Sequence, residues 1–350
     1  MSESAVHGIV LAGAYPAAHS ALDALVPRPL LPIAQQPLIT YALRWLSDNG
    51  LERATICANS AARSIRARID AAALAMSLEY REDWNPRGAA GCVRDAALNL
   101  GSHTFVVADG TAVPVVEIGE LVESHRASEA LLTVVVAADP SGRLMPAGVY
   151  VFDRRAFDHV PADGFQDIKE RLLPKLYAAG ENVVTYVTPG VAPRVVNTES
   201  YLALDHWAVE RLREQPARSR GFAARGDAFV HESASVDPSA RLLGPVLVGA
   251  GASVAAGATL VGPLSLGSGT RVGRGAVVSR SVAWTRCDVG AEAVVDRCLL
   301  ADGARVQPGK PLFATVQTRE PLAGARASGI AIWDPIVAAL RPAAASADSR

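Results

Sequence analysis

Few residues of this sequence are suited to chemistry, and the clearest candidate follows a buried strand. Asp109, with Gly110 after it, closes the apolar stretch 103–108, and Gly13 closes a similar stretch at 7–13. A carboxylate in such a place can hold a hard cation such as Mg²⁺, or it can simply cap a turn. Cys57, Cys92, Cys287 and Cys298 have neither CxxC spacing nor histidine partners, which predicts buried thiols of a reducing compartment.

Alternating strands and helices must position these residues. The pattern predicts strands at 7–13, 54–58, 77–81, 103–108, 131–137, 148–152 and 183–187, and helices at 36–49, 64–74, 91–100, 117–127, 166–179 and 200–212. This alternation predicts an α/β fold with a doubly wound, mainly parallel sheet and helices on both faces. Ligands of such sheets bind beyond the carboxyl ends of the strands. We therefore expect the loops after Ala12, Arg81 and Ala108 to surround one site.

The C-terminal third follows a six-residue period. Nine consecutive positions spaced by six are all Val or Leu: Val230, Val236, Leu242, Val248, Val254, Leu260, Leu266, Val272 and Val278. A period of six fits neither a helix nor an ordinary strand, but it fits a triangular prism with one short strand on each face. The pattern resembles the left-handed parallel β-helix of hexapeptide-repeat proteins. Trp284, near a break in the period, is interpreted as a core residue, with an interface anchor as the alternative.

Several local motifs, in this order, resemble the sugar-1-phosphate nucleotidyltransferases, particularly the mannose-1-phosphate guanylyltransferase branch. They are the opening strand Ile9–Gly13, the PRPLLPI stretch Pro27–Ile33, the loop Pro86–Gly91, the strand Phe105–Gly110, the strand Ala147–Phe152 and the segment Asn197–Tyr201. Together with the hexapeptide prism, the resemblance extends to about Gly309.

The resemblance implies roles for particular residues. Nucleotide-binding roles fall on Gly13, Gly88, Ala90, Asp109 and Gly110, and Gly148 falls in the strand beneath the sugar. No residue is assigned a firm catalytic role. The candidates are Arg28, which keeps the charge of a family lysine, and His19, for which a solvated loop residue is the alternative. Mg²⁺ is the implied cofactor if the chain is active, with Asp109 as its candidate ligand.

The chain departs from the family's pattern where the chemistry is done. The opening loop has Ala18 where the family has a catalytic arginine, and Pro16 removes a backbone donor. Thr111 and Val195 stand where the family has its two metal-binding carboxylates. The segment 139–146 is too short to carry the family's sugar-phosphate-binding lysine. Because catalysis of nucleotidyl transfer consists mostly of positioning and charge neutralisation, these losses predict a catalytically degenerate protein.

We weighed four functions. The first is a regulatory or structural partner in sugar-nucleotide or cell-surface polysaccharide metabolism, which pairs through its prism with itself or with an active homologue and binds a nucleotide or nucleotide sugar. The alternative is an active sugar-1-phosphate nucleotidyltransferase with rearranged residues. An acyltransferase that uses His231, and a scaffold without a ligand, complete the set.

Composition limits the remaining possibilities. The 350 residues have a formal net charge of −1, which gives no electrostatic argument for nucleic acid or a membrane surface. The start of the sequence does not have the pattern of a signal peptide, so we expect a cytoplasmic protein. The predicted domains are an α/β domain at 1–212, a linker at 213–225, a β-helix at 226–310 and an extension with a disordered tail at 311–350, which includes a short helix at 330–340.

Overall fold

The structure, a computed structural model, describes residues 6–13, 21–59, 62–69, 74–83, 87–138, 142–188, 193–214 and 221–319. The described residues form two compact units. The first draws on Met1–Ala18, Val26–Leu31 and Pro37–Val195, and the second on His19–Leu25, Pro32–Gln36 and Val196–Arg350. The domain boundaries given by the sequence analysis stay predictions. The helix predicted at 330–340 and the tail lie outside the described residues.

The first unit alternates strands and helices, as the sequence predicts. The strands are β1 (Val6–Leu11), β2 (Arg53–Ala58), β3 (Ser77–Glu82), β4 (Thr104–Asp109), β5 (Leu132–Ala138), β6 (Leu144–Asp153) and β7 (Val183–Thr188). The helices are α1 (Ile39–Asp48), α2 (Ala62–Arg68), α3 (Gly88–Ala97), α4 (Ile118–Ala127) and α5 (Leu173–Ala178), with a π-helical turn, Ile168–Leu172, before α5 and 3-10 turns at Arg28–Leu30 and Arg154–His159. Thus α3 begins three residues earlier than predicted, and β6 begins four residues earlier.

The seven strands form one sheet in the order β3-β2-β1-β4-β6-β5-β7. All neighbours are parallel except β6, which runs antiparallel to both β4 and β5. Leu11 of β1 pairs with Asp109 of β4, and Ala108 pairs with Val149 of β6. Because β6 is antiparallel, its early residues lie beside the carboxyl end of β4. The register therefore brings Asp109 and the stretch around Gly148 to the same edge of the sheet.

Apolar side chains cover both faces of this sheet. One cluster joins Val10, Ile56 and Val106 to α1, α2 and α4, and the other joins Ile9, Phe105 and Phe152 to α3 and α5. Successive strand residues point to opposite faces, so a strand buried on both sides must be apolar throughout. The near-continuous apolar runs of the sequence reflect this three-layer arrangement.

The second unit is built on a three-faced parallel β-helix. One face holds seven strands (Phe222–Arg225, Ala228–His231, Val246–Val248, Leu264–Leu266, Val282–Ala283, Leu299–Leu300 and Val316–Gln317). A second face holds Ser235–Val236, Ser253–Val254, Arg271–Val272, Asp288–Val289 and Arg305–Val306, and a third holds Arg241–Leu243, Thr259–Val261, Val277–Ser279, Val294–Asp296 and Pro311–Phe313. All nine predicted Val and Leu positions lie in the core of this prism or pack against it. The hexapeptide prediction is therefore confirmed.

The coils shorten along the prism. Val254 pairs with Val272, 18 residues on, whereas Val272 pairs with Val289, 17 residues on. The corner that Gly262 and Pro263 occupy in an earlier coil is taken later by Arg280 and Arg297, which have φ angles of 44° and 53°. This shortening explains the break in the six-residue period near residue 284.

Non-prism segments also belong to the second unit. The helix α6 (Thr198–Glu210) packs against the strand Leu264–Leu266. It begins with a capping box, in which Asn197 Oδ1 accepts from Ser200 N and Ser200 Oγ accepts from Asn197 N. Trp284 is 5% exposed, and its Nε1 donates to the Tyr201 hydroxyl at 2.7 Å, so the interpretation as a core residue is correct. Among the described residues, no helix has the length and apolarity that a membrane span requires.

Candidate functional site

Asp109, Gly110 and Gly148 meet at one edge of the sheet, as predicted. The Gly110 N–H donates to the Leu11 carbonyl at 2.9 Å, which ties the ends of β4 and β1 together. Gly148 has a φ of +78°, and a Cβ there would lie 3.2 Å from Asp109 Cβ and 3.1 Å from Ala112 Cβ. Only glycine both adopts this positive φ and fits into this space without strain. The backbone of β6 therefore approaches Asp109 closely.

The Asp109 carboxylate is bonded to protein groups through both of its oxygens. Its Oδ1 accepts from Thr111 N at 2.9 Å and from Thr111 Oγ1 at 2.7 Å. Its Oδ2 accepts from Arg194 Nη2 at 3.1 Å. The first two bonds form a side-chain turn on the residue that stands where the family has an aspartate. Asp109 therefore caps its own loop and forms an ion pair with a residue that the sequence analysis did not single out.

The segment around Arg194 crosses the edge of the sheet. Arg194 forms an antiparallel bridge with Ala112, and its Nη1 donates to the Pro146 carbonyl at 3.2 Å. The next residue, Val195, is 4% exposed. Arg28, half-buried in the turn Arg28–Leu30, donates from Nη1 to the Val195 carbonyl at 3.3 Å. This short segment therefore supplies one guanidinium to Asp109 and accepts a hydrogen bond from a second, that of Arg28.

A buried phenol lies close to this pair. The pKa of Tyr150 is raised to about 12, mainly by burial and also by the Asp109 carboxylate, while Arg194 opposes the rise. The Tyr150 hydroxyl is therefore protonated at neutral pH. It adds a donor to the neighbourhood of Asp109 without adding charge.

The donor set beside Asp109 does not fit a divalent cation. Mg²⁺ takes oxygen ligands and repels a guanidinium that occupies the same carboxylate oxygen. Val195 has no side-chain oxygen to offer. In the part of the chain that the structure describes, no group of three or more His, Cys, Asp or Glu residues could hold a metal. The role of Asp109 as a metal ligand, implied by the resemblance, stays a prediction that this geometry does not favour.

The loop that the resemblance assigns to the nucleotide is held against a neighbouring segment. The N–H groups of Ala90 and Gly91 both donate to the Gln166 carbonyl, at 2.9 and 3.2 Å, and Gln166 N donates to the Arg87 carbonyl at 2.7 Å. Gly88 has a φ of +74°, and a Cβ there would lie 2.4 Å from the Gln166 oxygen. The first amides of a helix are ready donors for phosphate, but at α3 these two already have a protein acceptor.

Arg87 strengthens this contact. It donates to Asp95 Oδ2 at 2.9 Å, to the Gly164 carbonyl at 2.5 Å and to the Pro161 carbonyl at 3.0 Å. All three guanidinium nitrogens therefore have protein acceptors. The nucleotide-binding roles of Gly88 and Ala90 stay predictions.

The remaining predicted site residues lie in or near the opening loop. Gly13 is exposed at the end of β1, and a Cβ there would meet nothing within 4 Å. His19, like Pro16 and Ala18, lies outside the described residues. His231 is at the first coil of the prism, where its Nδ1 lies 2.9 Å from Ser233 Oγ and its ring lies edge-on to Phe222.

Comparison with known proteins shows which proteins the chain is similar to. No protein-family model matches it. It is 27% identical over 277 residues to the mannose-1-phosphate guanylyltransferase of Mycobacterium tuberculosis, which covers 71% of this chain and 76% of that protein. Its fold matches the crystal structure of HddC from Yersinia pseudotuberculosis complexed with GMP-PN, with a TM-score of 0.50, 17% identity, and coverage of 58% of this chain and 99% of the other. The chain is therefore similar in sequence to sugar-1-phosphate nucleotidyltransferases, and the structural match shows that it shares their fold.

A second sequence relative also has a guanylyltransferase name. A Sulfolobus acidocaldarius protein provisionally named a mannose-1-phosphate guanyltransferase is 23% identical over 271 residues, with coverage of 70% of this chain and 71% of that protein. Both alignments extend over more than the length of the sheet-containing unit alone.

Proposed function

We propose that this chain is a catalytically degenerate nucleotidyltransferase-like protein that acts as a regulatory or structural partner in sugar-nucleotide or cell-surface polysaccharide metabolism. The observation that carries the proposal is the state of Asp109. Its two oxygens are bonded to Thr111 and Arg194, and the neighbouring position that could supply a second carboxylate is the buried Val195. Asp109, the acid best placed to bind a metal, therefore stabilises its own loop and the contact with Arg194 instead.

Charge explains why this arrangement disfavours turnover. Nucleotidyl transfer expels pyrophosphate, whose negative charge must be neutralised in the transition state. A Mg²⁺ ion would bring two positive charges to the leaving group, whereas the Arg194 guanidinium brings one, which the Asp109 carboxylate offsets in part. Ala18 supplies no second guanidinium from the opening loop. Removing one preorganised electrostatic group from such a site costs on the order of 3 kcal/mol, or about a hundredfold in rate, and several are missing here.

The partner role is supported by an outer surface of the prism. The outward column of the second face contains Arg271, Asp288 and Arg305, all exposed and stacked in register on successive coils. Alternating charges on a flat ladder favour pairing with a complementary surface. We therefore propose pairing through the prism, with a second copy or with an active homologue, in the cytoplasm.

A pyrophosphate-release assay tests the proposal. The purified chain is incubated with Mg²⁺, each nucleoside triphosphate and a panel of sugar 1-phosphates, and the mycobacterial guanylyltransferase serves as the positive control. We expect no release above the protein-free blank. Metal-dependent release that disappears in Asp109→Asn or Arg28→Ala would instead establish the alternative, an active enzyme in which Arg28 supplies the cation.

A further inference from the structure

Arg194 places a positive charge against the Asp109 carboxylate, where a metal bound to that carboxylate would otherwise place one. Arg194 is fixed at three points: its backbone bridges to Ala112, its Nη1 donates to the Pro146 carbonyl and its Nη2 donates to Asp109. The Arg194 side chain is nevertheless 37% exposed to solvent. A guanidinium carries five N–H donors, and these contacts use two of them. Among the described contacts, the group is both anchored and still able to donate.

The place of this guanidinium suits an anion. It stands at the carboxyl end of β4, where sheets of this type bind their ligands. Gly148, which has no side chain, packs directly against Asp109, the partner of Arg194. Arg28 contacts the adjacent residue, Val195. The Arg194 guanidinium therefore lies at the ligand-binding edge of the sheet with part of its donor capacity unused.

We propose, on the basis of the proposed function above, that Arg194 is a built-in counter-ion and that the cleft binds the diphosphate of a nucleotide sugar without a divalent metal. A guanidinium forms paired hydrogen bonds with phosphate oxygens and needs no cage of carboxylates. Where Mg²⁺ balances the charge of the carboxylates in a cleft, the cleft has an excess of negative charge without the metal. Here the compensating cation is part of the chain.

Calorimetric titration of the full-length protein tests this inference. GDP-mannose, GDP, mannose 1-phosphate and inorganic pyrophosphate are each titrated in EDTA and again in Mg²⁺. We expect GDP-mannose to bind with the same Kd, within about twofold, in both conditions. Arg194→Ala should weaken binding by tenfold or more, because a charged hydrogen-bonding group is worth about 1.5–3 kcal/mol, while Arg194→Lys should weaken it less.

A matched control lies in the turn Arg154–His159, which follows β6. Arg155 also pairs with an aspartate, Asp153, at 2.8 Å, but at the opposite end of β6. Arg155→Ala should leave the Kd unchanged. Asp109→Asn distinguishes a counter-ion site from a metal site. If Arg194 is the counter-ion, the substitution frees it and should tighten GDP-mannose binding several-fold. If Asp109 is a metal ligand, the substitution should weaken that binding. Circular dichroism of each variant checks the fold.

The outcomes separate this inference from the proposed function. Binding that requires Mg²⁺, binding that Arg194→Ala leaves unchanged, or weaker binding by Asp109→Asn each overturns the built-in counter-ion. Failure of all four ligands to bind also overturns it, but it leaves a non-catalytic partner that acts through the prism. Only turnover in the pyrophosphate assay overturns the proposed function itself.

Discussion

At the scale of single residues, the candidate site combines what a sequence reveals with what only a fold reveals. The sequence alone shows Thr111 and Val195 where the resemblance implies carboxylates, and Ala18 where it implies an arginine. It does not show the pair between Arg194 and Asp109, because the two residues are 85 positions apart and meet through a single backbone bridge. The only signal in the sequence was an arginine directly before Val195.

Asp205 predicts a pH-dependent stability. It is fully buried on α6, and its Oδ1 accepts from Ala34 N at 2.7 Å. Burial raises its pKa to about 7, although the Ala34 N–H and the Ser265 hydroxyl oppose the rise. The pKa of an aspartate in an unfolded chain is about 3.9. The folded state therefore holds a proton that the unfolded state lacks between about pH 4 and 7, so this contribution to stability falls as pH rises through that window and is constant above it.

Asp205→Asn should remove this contribution. The amide oxygen still accepts from Ala34, but no charge is buried at high pH. We expect the Tm of the variant to exceed that of the wild type by several degrees at pH 8, at about 2–4 °C per kcal/mol for a domain of this size. At pH 5 the two values should be close. A gap of the same size at both pH values would contradict the titration of Asp205.

Asp296 is a matched buried aspartate with the opposite expectation. It is 0% exposed, and it accepts from Ser279 Oγ at 2.7 Å, from Arg280 Nη2 at 2.9 Å and from Arg297 Nε at 2.9 Å. Asp296→Asn leaves two guanidiniums without their counter-charge. We expect a loss of about 2 kcal/mol, less than for a fully buried pair because both arginines reach solvent. Urea unfolding at neutral pH measures it, and an unchanged midpoint would show that the ion pairs contribute nothing.

At the scale of elements, periodicity predicted the elements well and their ends less well. The six-residue period predicted the prism because each hit fills one interior position of a face. Helix α3 starts at Gly88, ahead of its predicted start at 91, because its first turn is held by the Gln166 carbonyl. A contact 75 or 76 residues away along the chain leaves no periodic mark. The held loop therefore could not be predicted.

Substitution at Gly88 tests that contact. Gly88→Ala combines a φ of +74° with a Cβ 2.4 Å from the Gln166 oxygen, so it should cost more than about 2 kcal/mol and release the loop. Hydrogen exchange of the Ala90 and Gly91 amides should accelerate. Gly13→Ala, whose Cβ meets nothing within 4 Å, is the control and should leave both stability and exchange unchanged. Equal behaviour of the two variants would show that the Gln166 contact is unimportant.

At the scale of the whole molecule, each of the two units is built from several separate segments of the sequence. The turn Pro32–Gln36 belongs with the prism unit, although it follows directly on Leu31 of the sheet-containing unit. Within the prism unit, Ala34 N bonds to Asp205 and Gln35 Nε2 donates to the Leu266 carbonyl at 2.9 Å. The sequence predicts two folds in the right order. It does not reveal this interleaving, because short segments carry no periodicity of their own.

The account depends most on the claim that Arg194 has taken the metal's role at Asp109. Crystals of the full-length protein soaked with GDP-mannose and Mn²⁺, and measured at a wavelength where manganese scatters anomalously, test it directly. The account predicts diphosphate density against the Arg194 guanidinium and no anomalous peak at Asp109. A manganese peak within about 2.6 Å of an Asp109 oxygen, with Arg194 displaced from it, would contradict the account.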